Sequence, residues 1–454
     1  MATTAAPQDV APQPAGTDRA PADATGDAAP PATPPATQGG TAAAPDTPVA
    51  AASKSPAVAD APPPGGRVDV IFNPISGTRD PDTDAALIER HLAVAFNVVT
   101  IRRTTPDVGA AELARAALDD GADVVVASGG DGTVGEVAAV LVDAEKTSGL
   151  VGGSGQDGDG GGRRVRLGVI PRGTANAFAA ALGIPSSVTA AADLIAKGMS
   201  RPIDAVWMNG RLMILLGGVG LEAAVVSKAD RGLKRRLGPL AYVLSGIHAI
   251  REQRTFRVQL ELTDVEDTSD SGVVVTVPKV RVENLVVKGL TVANVAPPTS
   301  VLAQGLGAVR PDDGRVEVVA YTAGGTLHSI SALFRLFMSG VLLRRTRLAG
   351  VRAVRARGVR VVCEPRQLVV IDGEEVGEAD MTVTLGESRR QFEVLAPPAV
   401  EMKRARRRLA RTLGKVARNV RGLLLFGVTV VLLQSVRPLF EDDEEEERVG
   451  VASL

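Results

Sequence analysis

From Arg67 onward the sequence predicts an α/β fold, an N-terminal domain on a parallel sheet followed by a second, mainly antiparallel β-sandwich domain. Two observations carry this prediction. Short β-branched runs alternate with helical periodicity up to about residue 203, which implies parallel strands joined by right-handed crossovers. After Asp204 the pattern changes to strand upon strand with hairpin signals.

The elements follow in order. Residues 1–66 are Ala, Pro, Thr and Gly with scattered Asp and almost no large apolar side chain. Such a segment buries too little surface to offset the entropy of ordering, so disorder is expected. It has neither the basic start nor the apolar core of a signal peptide, and Asp9, Asp18, Asp23 and Asp27 oppose a transit peptide. The first domain, 67–203, then reads VDVIFNP, ALIERHLAVAF, NVVTIRR, AAELARAALDDGA, DVVVASGG and VGEVAAVLVDA, strand and helix in turn. LGVIPRG and NAFAAALG continue it beyond a flexible insert at about 147–164. The second domain, 204–398, carries FRVQLELTDVEDTSDSGVVVTVP, VENLVVKGLTVANV, GRVEVVAYT, VRVVCEP and QLVVIDGEEVG. Helical stretches at 221–252 and 327–346 interrupt it.

Residues 399–454 differ again: a basic segment, the apolar run GLLLFGVTVVLLQSV and the acidic block EDDEEEE. The uncharged run is shorter than the ~20 residues of a spanning helix. It reads as an interfacial helix on a membrane surface, with docking on the chain's own surface as the alternative. Over the whole chain 51 Lys and Arg face 52 Asp and Glu, so bulk attraction to nucleic acid is not expected. Cys363 stands alone, which excludes an internal disulfide and fits a reducing compartment. His91, His248 and His328 lie far apart without metal-ligand spacing, which sets zinc and histidine-triad chemistry aside.

Chemistry gathers in a few loops. SGGDGTVGE, 128–136, follows the strand DVVVA and opens a helix. Backbone amides at such a turn, with the helix dipole, favour an anion such as phosphate. An acid there, Asp131, is unexpected unless it serves a metal or a proton. Gly130–Gly135 also matches G-x-G-x-x-G, but no acidic residue ends a strand about 20 residues on, and no Walker A pattern occurs. Asn73-Pro74-Ile75-Ser76-Gly77-Thr78 follows the first strand and Pro171-Arg172-Gly173-Thr174-Ala175-Asn176 the fourth. All three loops fall at carboxyl ends of strands, where open α/β sheets bind ligands. In the second domain Arg310-Pro311-Asp312-Asp313-Gly314-Arg315 reads as a cation loop of carboxylate and carbonyls. Asp372-Gly373-Glu374 places two carboxylates on a turn, suited to accepting a hydroxyl proton or holding Mg²⁺.

With NPxSG, GGDGT, PxGTxN, Asp204, the DDG loop and DGE in this order between about Val68 and Pro397, the sequence resembles the lipid kinases of the diacylglycerol, sphingosine and ceramide kinase group, most closely the soluble bacterial members. The resemblance implies an ATP-binding catalytic domain at 67–203 and a lipid-binding domain carrying the DGE turn at 204–398. It implies a transferase of phospholipid metabolism that uses ATP and Mg²⁺. ATP would lie among Asn73, Pro74, Ser76, Gly77, Thr105, Gly129, Gly130, Gly132, Thr133, Gly135, Thr174 and Asn176. The glycines would let its phosphates approach the backbone, with Asp131 acting on phosphates and cation. Asp313, with the carbonyls of Arg310 and Arg315, would hold a structural magnesium. Glu374 would accept the proton of the lipid hydroxyl, with Asp372 beside it. The chain departs from the family at Ala177, where many relatives carry Asp, and at Gly135, where many carry Asn.

Other readings stand beside this one. An NAD kinase shares GGDG, but its substrate-binding NE pair is not evident here. A lipid- or nucleotide-binding regulator impaired through Ala177 is a third. The stretch VRAVRARGVRVV is expected as a half-exposed strand, or as offering Arg352, Arg355 and Arg357 to anionic head groups, as Lys234, Arg235 and Arg236 could. The expected partners are a lipid substrate, a membrane surface met peripherally and a second copy of the chain, without nucleic acid, in the cytoplasm.

Overall fold

In a computed structural model the structure describes residues 66–147, 164–228, 253–268, 274–297, 300–306, 309–322, 336, 350–385 and 391–399. The expected disordered tail, the flexible insert, Lys234, Arg235 and Arg236, nearly all of 327–346 and the C-terminal segment lie outside these residues.

The first domain forms as its periodicity predicts. Strands β1 (Arg67–Phe72), β2 (Val98–Arg103), β3 (Val124–Gly129) and β4 (Arg166–Pro171) alternate with helices α1 (Pro81–Leu92), α2 (Ala110–Asp119) and α3 (Asp131–Thr147). Short helices α4 (Ala177–Leu182) and α5 (Val188–Ala196) follow, then β5 (Ser200–Asp204). Helix α1 starts five residues before the apolar stretch at Ala86 because Asp80 caps it, its Oδ2 accepting from Thr83 N at 2.8 Å, with Pro81 in the first turn. The sheet has six strands in the order β2-β1-β3-β4-β17-β5, where β17 is Gln391–Leu395. All its pairings are parallel except β17 with β5. Helices α1 and α5 pack together, as do α2 and α3, and β3 is buried throughout. The strand order reverses between β1 and β3, the switch point at which such sheets open a crevice.

The return of β17 to this sheet was not visible in the sequence, which places 391–395 with the second domain. QFEVL has the buried alternation of any strand, and a strand's pattern does not name its partner.

The second part is one antiparallel sheet of eleven strands, in the order β15-β14-β8-β10-β11-β12-β9-β13-β16-β6-β7. These are β6 (Val206–Met208), β7 (Arg211–Met213), β8 (Leu216–Gly220), β9 (Phe256–Thr268), β10 (Val274–Ala293), β11 (Val316–Thr322), β12 (Val351–Ala356), β13 (Gly358–Glu364), β14 (Leu368–Ile371), β15 (Glu374–Glu378) and β16 (Met381–Thr384). Strands β9 and β10 also pair with each other, so β9, β10, β11 and β12 close a ring and the sheet folds over a main apolar core, with a smaller cluster of Leu221, Val319, Tyr321, Leu336 and Val351 apart from it. VVVTVP and VENLVVKGLTVANV, separate in sequence, run on as β10, with a register shift between Val282 and Leu285 where Asn284 takes φ 55°. VRAVRARGVRVV divides into β12 and β13, and Arg355 turns inward to Glu317 at 2.9 Å rather than outward to a head group.

Candidate active site

The three loops after β1, β3 and β4 meet at the switch point. Asn73 N donates to Ser128 O at 2.9 Å, and Asn73 Nδ2 donates to Thr133 Oγ1 at 3.4 Å. Asn73 Oδ1 accepts from Ile75 N at 3.1 Å and its carbonyl from Ser76 N at 3.2 Å, which curls Pro74 and Ser76 over the strand end. Gly77 closes the turn at φ 96°. Arg172 N and Gly173 N both donate to Gly129 O, at 2.9 and 3.3 Å, joining the second loop to the third.

The glycines do different jobs. A Cβ on Gly129 would lie 2.5 Å from Thr133 Oγ1, and one on Gly173 would lie 2.6 Å from Gly130 Cα. Those positions are small because the loops press together. At Gly132 a Cβ would meet nothing within 4 Å. That side of the turn is open, at the N-terminus of the 17-residue α3, where the first bonded amide beyond the turn is Val134 N, to Gly130 O at 3.1 Å. Open space beside leading helix amides fits a phosphate. Thr105 and Thr174 are exposed at the rim, Thr105 Oγ1 accepting from Val108 N at 3.1 Å. Asn176 takes a left-handed φ of 46° and donates through Nδ2 to Gly173 O at 2.7 Å. Gly135 lies deeper in α3, its Cβ direction 3.8 Å from Ile214 Cδ1 of the second part.

Asp131 has a defined task. Its Oδ2 accepts from Ala177 N and its Oδ1 from Phe178 N, each at 3.0 Å, so the carboxylate caps α4 from outside. Asp372 is the counterpart in the second part. It sits at φ 51° after β14 and accepts from Ile214 N at 2.8 Å, Leu215 N at 2.8 Å and Leu216 N at 3.0 Å. Burial pushes its carboxyl up to about 7 against the lowering effect of those three amides, and the charge of Asp131 raises it further. Asp372 is thus held beside α3 through Ile214, whose N–H it accepts and whose side chain faces Gly135, and it lies within range of the Asp131 charge. Glu374, two residues on, stands on the outer strand β15 with its side chain 63% exposed and bonds Arg211 Nη2 at 2.9 Å.

Asp204 ties the remaining loop in place. Its Oδ2 accepts from Gly314 N at 2.6 Å, Oδ1 from Gln391 Nε2 at 2.7 Å, and its N–H donates to Pro311 O at 2.6 Å. The loop expected to hold magnesium through Asp313 and the carbonyls of Arg310 and Arg315 carries arginine side chains around its carboxylate. Asp313 Oδ2 lies 3.0 Å from Arg310 Nε and 3.9 Å from Arg355 Nε, so guanidinium charge occupies its approach. Arg315 reaches Glu266 at 4.0 Å, and Arg355 spans Glu317 at 2.9 Å and Glu266 at 3.7 Å. Three arginines thus face Asp313, Glu266 and Glu317, while Asp313 Oδ2 stays buried without a hydrogen-bond partner. Among the described residues no cluster of three or more His, Cys, Asp or Glu could hold a metal ion.

Sequence reasoning assigned no role to Arg172, Arg211 or the amides of Ile214 to Leu216. Main-chain donors have no side-chain signature, and Arg172 finds its partner Asp84 88 positions away.

The diacylglycerol kinase catalytic domain model matches residues 67–208. An uncharacterized protein of Synechocystis sp. is 33% identical over 69% of this chain and 67% of its own length. The diacylglycerol kinase of Bacillus subtilis (strain 168) is 33% identical over 43% of this chain, and that of Staphylococcus aureus (strain bovine RF122 / ET3-1) matches to the same degree. The matches span 59% and 56% of those two kinases. The crystal structure of a diacylglycerol kinase from Bacillus anthracis str. Sterne superimposes with a TM-score of 0.50 over 74% of this chain and 98% of that one, at 20% identity, a likeness of fold. A second structure from the same strain gives 0.55 over 74% and 99% at 23% identity. The chain belongs to the diacylglycerol kinase catalytic-domain family of lipid kinases.

Proposed function

We propose that the chain is an ATP-dependent lipid kinase that moves the γ-phosphate of ATP to the hydroxyl of a lipid such as diacylglycerol or a sphingoid base. The observation that carries this is the convergence of Asp372, on the β-rich part, with Asp131, on the phosphate-type turn of the α/β part. That convergence supports a donor site on one sheet and an acceptor site on the other.

In this reading the open side of Gly132 and the N-terminus of α3 receive the phosphates. The magnesium that accompanies ATP would neutralise phosphate charge when bound, and Asp131 is the carboxylate proposed to meet it. The lipid oxygen forms its bond to the γ-phosphorus as the bond to the bridging oxygen of ADP breaks, and the hydroxyl proton passes to a carboxylate. Sequence resemblance gives that proton to Glu374. The geometry favours Asp372, because a base near 7 beside the phosphate turn is matched to neutral pH, whereas Glu374 pairs with Arg211 in solvent. Glu374 and Arg211 then form the rim where a head group enters. Peripheral attachment to an anionic membrane through the basic and apolar C-terminal segment, on the cytoplasmic side, completes the reading. Among the described residues no helix is long and apolar enough to cross a membrane.

The test is to incubate purified protein with γ-labelled ATP and a total lipid extract, with NAD in a parallel arm, and identify the labelled product. Label in an organic-extractable phospholipid supports the proposal. Label in the NAD arm alone favours the NAD kinase reading, and binding of ATP without transfer favours the impaired regulator.

A further inference from the structure

A buried ion pair beneath the three loops has no part in the roles above. Arg172 is 5% exposed and Asp84, on α1, is 2% exposed. Arg172 Nε donates to Asp84 Oδ2 at 2.9 Å, and Nη1 donates to the carbonyl of Asn73 at 2.8 Å. The guanidinium lies over the Phe72 ring, 4.2 Å from its centroid. The main-chain N–H of the same residue donates to Gly129 O at 2.9 Å. Arg172 thus belongs to the third loop, holds the carbonyl at the root of the first and bonds the end of the strand that carries the second.

Stability does not explain such a pair. Desolvating two charges costs more than their attraction commonly returns, and hydrophobic replacements of similar volume are often neutral or stabilising. This pair is also incompletely satisfied, since Arg172 Nη2 and Asp84 Oδ1 are buried without a hydrogen-bond partner. What the planar guanidinium does supply is direction, because a fork of fixed geometry fixes two acceptors relative to each other. Here the acceptors are a helix side chain and the main chain of the first loop. Gly77 packs over the same group: a Cβ there would lie 3.5 Å from Arg172 Nη2 and from Arg172 O.

We infer that Arg172 is a positioning residue for the nucleotide, holding the Asn73–Gly77 loop against the Gly129–Asp131 turn so that both address one phosphate chain. The inference rests on the ATP reading above. With Arg172 in place, Asn73 Nδ2 meets Thr133 Oγ1 at 3.4 Å at the first turn of α3. With the guanidinium gone, the first loop loses its anchor at Asn73 O, and binding has to order the loop before the phosphates are met.

The test compares the full-length wild type, the double variant Asp84→Leu/Arg172→Met and the single variant Arg172→Lys. MgATP affinity is measured by calorimetry, KM for ATP and kcat by turnover, and stability by thermal melting without nucleotide. The double variant is expected to melt at or above the wild-type temperature, because an apolar pair replaces a desolvated one. Its ATP affinity is expected to fall at least tenfold, with kcat at saturating ATP kept within about threefold, a split that loss of packing alone does not produce. A folded double variant that binds ATP like the wild type overturns the inference. If the double variant does not fold, Arg172→Lys decides. The ammonium keeps the charge beside Asp84 but lacks the planar fork, so KM for ATP should rise severalfold at unchanged kcat, and an unchanged KM overturns the inference. Wild-type protein that binds no ATP removes the nucleotide reading together with this one, whereas wild-type binding matched by the variants removes this one alone.

Discussion

Replacing Asp372 with Asn should remove a pH step from the reaction. The carboxyl is pushed up to about 7 from 3.8, chiefly by burial. At that value the base form rises from roughly a tenth of the protein at pH 6 to roughly nine-tenths at pH 8, so kcat/KM for the lipid should climb about tenfold across that range. A carboxylate titrating at its ordinary value would give a flat line there. Asp372→Asn should lower kcat by about 10² to 10⁴-fold, the usual contribution of a positioned base, and should flatten the profile. Any slope arising from ATP itself would survive in the variant, which separates the two sources. Glu374→Gln should keep both the slope and most of the rate. The same shift has a stability signature. Because the folded state holds the proton more tightly, the stabilisation is complete below about 4 and is lost as pH rises through about 7, up to about 4 kcal/mol in all. Lipid phosphorylation followed from pH 5.5 to 8.5 at saturating MgATP reads the first effect, and denaturant melts over the same range read the second. A flat wild-type profile, or a profile unchanged in Asp372→Asn, would refute the assignment.

Asp131→Asn should cost stability as well as activity, since one of the two α4 amides loses its acceptor, at about 1–3 kcal/mol; a matched melting temperature would remove the capping role. EDTA should leave the nucleotide-free melting temperature unchanged if the guanidinium groups of Arg310 and Arg355 alone compensate Asp313, and a drop restored by Mg²⁺ would assign a cation to that loop. Arg355→Met should destabilise by about 3–5 kcal/mol, less at pH 6 than at pH 8, because Glu317, raised by burial to about 7, can then take up a proton. Deleting the residues after about Val400 should weaken sedimentation with anionic vesicles, most at low salt, and unchanged sedimentation would count against an interfacial segment.

Much of the first domain was legible because its signals are local. VVVAS buries every side chain of a central strand, and glycine with Asp or Asn punctuates each strand-to-helix turn. The coincidence of these loops at one sheet edge followed from parallel topology rather than from any single motif. What stayed hidden depends on partners distant in sequence. Asp372 reads as half of a turn, and nothing in QLVVIDGEE announces three amides from Ile214 to Leu216. The acidic loop at Asp312 and Asp313 reads as a cation site, and nothing near it announces that β12 brings Arg355 across from another strand. Side-chain types were readable there, but the charge balance was not. Asp80 and Pro81 open α1 in the structure, but the polar run around them lacks the apolar period that marks a helix, so the sequence pattern begins it at Ala86.

Strand β17 has a consequence for biosynthesis. Among the described residues it is the only strand paired with β5, and it fills the gap between β5 and β4. On the ribosome the loop-bearing sheet must therefore wait, with an unpaired edge on β4, until residues 391–395 have left the exit tunnel. The whole β-rich part is translated during that interval, so the three loops and Asp372 reach their final arrangement together. A fragment ending at residue 208, where the family match ends, would expose the edges of β4 and β5 and should aggregate rather than fold as a small ATP-binding protein.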